Sequence, residues 1–121
     1  MLKIKVLSIF ILFFSVFTKA SEHISLTLDL QSGFTGQDVE IFINDIKVLE
    51  LTEIESDPVL DLAHSFKTEI KERGYVTVKV LAGDSKTEIC IEVTEEQYLG
   101  IERSINGKLV HTLSSHPFLY D

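Results

Sequence analysis

The sequence predicts an all-β domain, an antiparallel two-sheet sandwich of about eight short strands behind an N-terminal export signal. Beyond residue 20 apolar side chains recur at every second position, the period of a strand with one buried face. Turn residues interrupt that alternation roughly every ten residues, as in sandwiches. The stretches that break the alternation are about one turn long, too short for stable isolated helices.

Residues 1–20 carry a basic head at Lys3 and Lys5, an apolar run from Val6 to Phe17 broken only by Ser8 and Ser15, and small residues in Thr18-Lys19-Ala20. That is the pattern of a cleavable signal peptide. The run falls short of the roughly 20 apolar residues of a membrane span. The expected mature domain is residues 21–121, exported to the periplasm or beyond, with no stable span after cleavage.

The first strand is expected where Ile24, Leu26, Leu28 and Leu30 alternate with polar residues. A connection over Gln31 to Gln37 follows, with Gly33 and Gly36 supplying positive φ. Val39, Ile41 and Ile43, the Asn44-Asp45 turn, and Ile46 to Leu51 form a first hairpin. Ser56-Asp57-Pro58 with Val59, Leu60, Leu62 and Ala63 has the form of one helical turn, capped by Asp57. Val76, Val78 and Val80, the Gly83-Asp84 turn, and Ile89, Ile91 and Val93 form a second hairpin. Thr94-Glu95-Glu96-Gln97 has capping-box spacing and predicts another single turn. Leu99, Ile101, Arg103 and Ile105, the Asn106-Gly107 turn, and Leu109, His111 and Leu113 form a third hairpin.

The order strand, Asn44-Asp45, strand, Asp57-Pro58, then Gly74-Tyr75 leading into Val76 to Leu81 resembles the small transthyretin-like and PEGA-type sandwich modules of exported bacterial proteins. The likeness spans Val39 to Val93. Asp45 is followed by Ile46 instead of the glycine of those modules, and their threonine-proline element is absent. The resemblance implies an immunoglobulin/transthyretin-like sandwich acting as an adhesive or accessory module without catalysis.

The chain carries 11 Lys and Arg against 19 Asp and Glu. Loss of Lys3, Lys5 and Lys19 with the signal leaves eight cations against the same nineteen acids, a net charge of −11. Nucleic acids and anionic lipid surfaces require clustered cations, so both are disfavoured as partners. Cys90 is the single cysteine and forms no internal disulfide. Alternation puts it mid-strand on the same face as Glu88 and Glu92, whose charges oppose thiolate formation.

His23, His64, His111 and His116 lack zinc-motif spacing. The alternative is a small-ligand or metal-binding envelope protein, an enzyme included, that uses His111, His116 and Asp121. The acidic stretch Glu50, Glu53, Glu55, Asp57 and Asp61 is interrupted by Leu51, Ile54 and Pro58, unlike a calcium loop. No nucleophile elbow, phosphate loop or dinucleotide fingerprint occurs, so no catalytic residue and no cofactor is expected. The expected function is non-enzymatic binding of a protein or peptide, through an edge strand or the outer sheet face. Candidate contact residues are the aromatics Phe42 and Tyr75 on that face and Phe118 and Tyr120 in the apolar tail.

Overall fold

The computed structural model describes residues 23–120. The expected signal peptide, residues 1–20, and Asp121 lie outside the described residues. Eight strands follow in order: β1 Ile24–Leu30, β2 Thr35–Ile43, β3 Ile46–Glu55, β4 His64–Ile70, β5 Gly74–Ala82, β6 Ser85–Val93, β7 Gln97–Arg103 and β8 Leu109–Ser114. They make two four-stranded sheets, ordered β4-β1-β7-β8 and β3-β2-β5-β6. The pairs are antiparallel except β1 with β7, which run parallel. Each of the three expected hairpins lies within one sheet, and the chain changes sheet at every other connection.

Alternation explains the core. Leu26, Leu28, Leu30, Leu99 and Ile101 project from one sheet, and Val39, Ile41, Val76, Val78, Val80 and Val93 from the other; all are essentially inaccessible. Each such side chain contributes about 1.5–3 kcal/mol by leaving water. Phe34, from the connection between β1 and β2, fills the core from one end. The connection needs Gly33 in particular. Its φ is +92°, and a Cβ there would meet the Arg103 carbonyl oxygen at 1.7 Å.

The hairpin turns follow their residues. Asn44 and Asp45 both adopt positive φ, the requirement of a two-residue type I′ turn, and Ile43 pairs with Ile46 across it. Between β7 and β8 the Gly107 N–H donates to the Ser104 carbonyl at 2.8 Å, and the Ser104 N–H donates to the Lys108 carbonyl at 2.8 Å. With Gly107 at φ +86°, this is a type I turn with a glycine bulge. Ile105 therefore sits at the hairpin tip, fully exposed, and does not continue the inward alternation of β7.

Two expected helical turns resolve differently. Asp57 Oδ1 accepts the N–H groups of Val59 at 2.8 Å and Leu60 at 3.1 Å, as a cap does. The Asp61 N–H donates to the Asp57 carbonyl at 2.7 Å, and the Asp57 N–H donates to the Leu62 carbonyl at 3.0 Å. Asp61 at φ +59° reverses the chain there, so one hydrogen-bonded turn closes on itself and no helix propagates. Thr94 and Glu95 form only a bend before β7. The strand β4, whose inward positions His64, Phe66, Thr68 and Ile70 are half-buried, replaces the unassigned stretch after Ala63.

Candidate functional site

The ends of the two sheets expose four edge strands, β3, β4, β6 and β8. Unpaired N–H and C=O groups on an edge are a template for another strand, and proteins blunt them with charges, bulges or proline. On β3 stand Lys47, Glu50, Glu53 and Glu55; register shifts and Glu53 at φ +47° distort its ladder. Lys67 and Glu69 stand on β4, and Lys86, Glu88 and Glu92 on β6. Among the described edges, β8 alone carries no Asp, Glu, Lys or Arg: its residues are Leu109, Val110, His111, Thr112, Leu113 and Ser114. Its ladder with β7 runs without a register shift.

The hydrogen-bond parity of β8 follows from its hairpin. Ser104 and Lys108 are bonded across the ladder, so Val110, Thr112 and Ser114 point their backbone groups at β7, and Leu109, His111 and Leu113 point theirs outward. The far side of β7 agrees. Ile101 uses its carbonyl to accept the Gln31 N–H at 2.7 Å, and the Arg103 N–H donates to the Ser32 carbonyl at 2.9 Å. These residues, opposite His111 and Leu109, face β1 with their backbone groups, not β8.

The side chains of β8 are correspondingly bare. Leu109 is buried, but Val110 is 46% and Leu113 42% exposed, and His111 is exposed. Inward alternation expected of His111 and Leu113 stops here because this strand overhangs the facing sheet. At its start the sandwich is held closed, with the Ser85 hydroxyl of β6 donating to the Gly107 carbonyl at 2.5 Å.

After β8 the chain turns away from this edge. The Ser114 hydroxyl donates to the His116 carbonyl at 2.8 Å, and Ser114 Oγ accepts the His116 N–H at 3.0 Å. The tail then crosses the sheet to β1, two strands in. There the Tyr120 hydroxyl donates to Asp29 Oδ2 at 2.7 Å and accepts Gln31 Nε2 at 3.0 Å. The Ser65 hydroxyl donates to Asp29 Oδ1 at 2.6 Å. Burial, then the bond to Asp29, pushes the Tyr120 hydroxyl up to about 12. Asp29 is buried, so these donors replace the water its carboxylate lost.

The expected site residues are thereby separated. Tyr120 is the anchor of the tail, and Phe118 is half-buried along it. Phe42 and Tyr75 do lie on the outer face of the β3-β2-β5-β6 sheet. Phe42 is half-buried under Lys79, whose Nζ is 4.8 Å from the ring centroid. Beside it Lys47 pairs with Glu40 at 2.8 Å and Glu50 at 3.4 Å; the bond to Glu40 comes first in raising the Lys47 pKa. Tyr75 is 72% exposed. It stands four residues along β5 from Lys79, the partner of Phe42, a separation of about 13 Å. The two rings do not form one platform. Tyr75 instead borders a groove of about 660 Å³ with Ile46, Val48 and Ile70.

His111 lies on β8 and His116 in the turn after it; Asp121 falls outside the described residues. Among the described residues no three of His, Cys, Asp and Glu are grouped to hold a metal ion. Cys90 is exposed, on the outer face of β6 opposite Thr77. Among the described residues no helix is long and apolar enough to cross a membrane. Sequence reasoning missed Val110 and Thr112; the readable signal was the lack of charge over 109–114 where every other edge has two or more.

Comparison with known protein families and with curated proteins finds no match for this chain.

Proposed function

We propose that this protein is an exported, non-enzymatic interaction module that engages a protein partner by strand addition to β8. The observation that carries the reading is the uncharged, regular β8 edge, with three residues offering outward backbone groups and two exposed aliphatic side chains. In strand addition the main-chain bonds supply affinity and alternate side chains supply selectivity. The other edges carry charges that deter the same event. Of the two sandwich types in the expectation, the transthyretin-like one is favoured. Immunoglobulin domains put their second and third strands in opposite sheets, whereas here β2 and β3 form a hairpin in one sheet.

The test compares capture of envelope proteins by the wild type, Thr112→Lys and Phe42→Ala. Strand addition predicts that Thr112→Lys loses the partner and Phe42→Ala keeps it. In the bound state the amides of Leu109, His111 and Leu113 gain protection from hydrogen exchange. Retention by Thr112→Lys with loss by Phe42→Ala would move the site to the outer face of the other sheet.

A further inference from the structure

Where the tail meets the turn at Asp57, a depression of about 420 Å³ is bordered by Val59, Leu60, Asp61, Glu102 and Leu119. We infer that it holds a segment of a partner protein in which an arginine or lysine stands among aliphatic residues. Three of the eight large apolar side chains exposed among the described residues gather at this depression. They come from two distant stretches of sequence that the fold brings together. Within the tail Phe118 and Tyr120 are half-buried, and Leu119 between them is 94% exposed. The bonds of Tyr120 to Asp29 and Gln31 fix the tail, so the leucine is held in water by neighbours that face the sheet. Across from it, Asp57 Oδ1 accepts the N–H groups of Val59 and Leu60, and that fixed turn leaves Val59 77% exposed. Apolar side chains held in water by the structure around them are ones a partner covers without first ordering the segment that carries them.

Charge selects the partner. The border of the depression holds two carboxylates, Asp61 and Glu102, and no Lys, Arg or His. Neither carboxylate is in an ion pair among the described residues, and Glu102 Oε2 accepts the Ser32 hydroxyl at 2.7 Å, which positions it. The groove beside Tyr75, by contrast, mixes Lys71 and Arg73 with Glu69 and Glu72 and favours neither sign. A nucleic acid, an anionic lipid surface or a second copy of this acidic chain would bring like charge to the depression. A guanidinium or ammonium group offsets the desolvation of both carboxylates, and its methylene stem lies along the aliphatic side chains. Apolar cover supplies most of the affinity, and the carboxylates set the sign and orientation of what binds. The depression neighbours the β8 edge, since Glu102 stands opposite Val110 across the ladder, yet it uses side chains where that edge uses backbone.

A methyl and amide NMR titration of the exported protein with three end-blocked pentapeptides, Leu-Leu-Arg-Leu-Leu, Leu-Leu-Glu-Leu-Leu and Gly-Gly-Arg-Gly-Gly, tests the site. Expected are saturable shifts of the Val59, Leu60 and Leu119 methyls with the first peptide, weakening as salt is added, and little response to the other two. The paired Asp61→Asn/Glu102→Gln variant is expected to bind about five- to tenfold more weakly, and Leu119→Ser about tenfold more weakly. These changes suit their positions. Asparagine tolerates the positive φ of Asp61, glutamine still accepts the Ser32 hydroxyl, and Leu119 is almost wholly in water. Thr112→Lys, which blocks β8, leaves the titration unchanged. Absence of saturable shifts at the three methyls, an equal response to the glutamate or the glycine peptide, or indifference to the paired amide substitution overturns the inference. Shifts confined to the amides of Leu109, His111 and Leu113, and lost in Thr112→Lys, also overturn it and assign the arginine peptide to strand addition.

Discussion

The edges β6 and β8 flank the same side of the sandwich, and they are finished in opposite ways. β6 is nine residues long, is paired to β5 along its whole length, and sets Lys86, Glu88, Cys90 and Glu92 outward. β8 is six residues long and without charge. Any strand that approached β6 would have to desolvate three charges, and one that approached β8 would desolvate none. Edge protection in this molecule is thus local, written residue by residue, and its omission from one strand is what distinguishes that strand chemically.

The comparison extends to what each edge contributes to stability. β7, beneath β8 in the sheet, is core: Ile101 has no accessible surface, whereas its neighbour across the ladder, His111, is exposed. Ile101→Ala is therefore expected to destabilise by about 2–5 kcal/mol in urea unfolding, the range for an aliphatic truncation in a close-packed interior. Leu113→Ala is expected to lower stability by less than about 1 kcal/mol, because much of its side chain already meets water. Equal losses at the two positions would mean that β8 is integral to the core and not an overhanging edge.

The tail provides the next test, since its anchorage is what keeps it off β8. Tyr120→Phe removes one of the two hydroxyl donors to buried Asp29 and is expected to destabilise by about 1–2 kcal/mol. The pH dependence has a definite sign. The folded state raises the Tyr120 hydroxyl to about 12 from an ordinary 10, so it favours the neutral form. That contribution is complete below pH 10 and is lost as pH rises from 10 towards 12. Denaturation followed across this range should show a steeper alkaline decline in the wild type than in Tyr120→Phe, which keeps the contribution of the raised Lys47. Parallel declines in both proteins would detach the anchor from the titration.

Most of the fold was legible because its strands are amphipathic with period two. Ile24–Leu30, Val39–Ile43, Val76–Val80 and Ile91–Val93 each display the inner face in the order of residues, and each hairpin turn carries residues suited to its φ. β4 was not legible, because only Phe66 and Ile70 of its inward positions are apolar and its outward positions are ordinary surface residues. Its strand character comes from pairing with β1, a tertiary effect. The turn at Asp57 was half legible: the cap bonds are local, but the reversal at Asp61 that stops the helix answers to the bridge from Leu62. The Asp29 anchor could not be read at all, since Ser65 and Tyr120 lie 36 and 91 positions away. For β8 the lack of charge was visible, but its meaning depended on strand order.

Cys90 sharpens the contrast without large energetics. The thiol is exposed on β6 in the folded protein, so a maleimide should label it to completion without denaturant, leaving the unfolding midpoint nearly unchanged. Labelling that requires denaturant would show that β6 is covered, which would make it, and not β8, the occupied edge.

A similarly small effect belongs to Phe42, on the face that β6 borders. Lys79 lies over its ring at 4.8 Å, and such contacts are worth about 0.5–1 kcal/mol at exposed sites. Lys79→Ala should therefore destabilise by no more than that amount, and less at high salt, where Lys47, Glu40 and Glu50 are also screened. Its value lies in what it uncovers. Without the ammonium group Phe42 becomes an open aromatic surface on a sheet that is otherwise charged. If that variant binds no more envelope protein than the wild type, the ring serves packing within its own sheet; a gain in capture would show that Lys79 masks a second contact surface, guarded by charge in the same manner as the edge beside it.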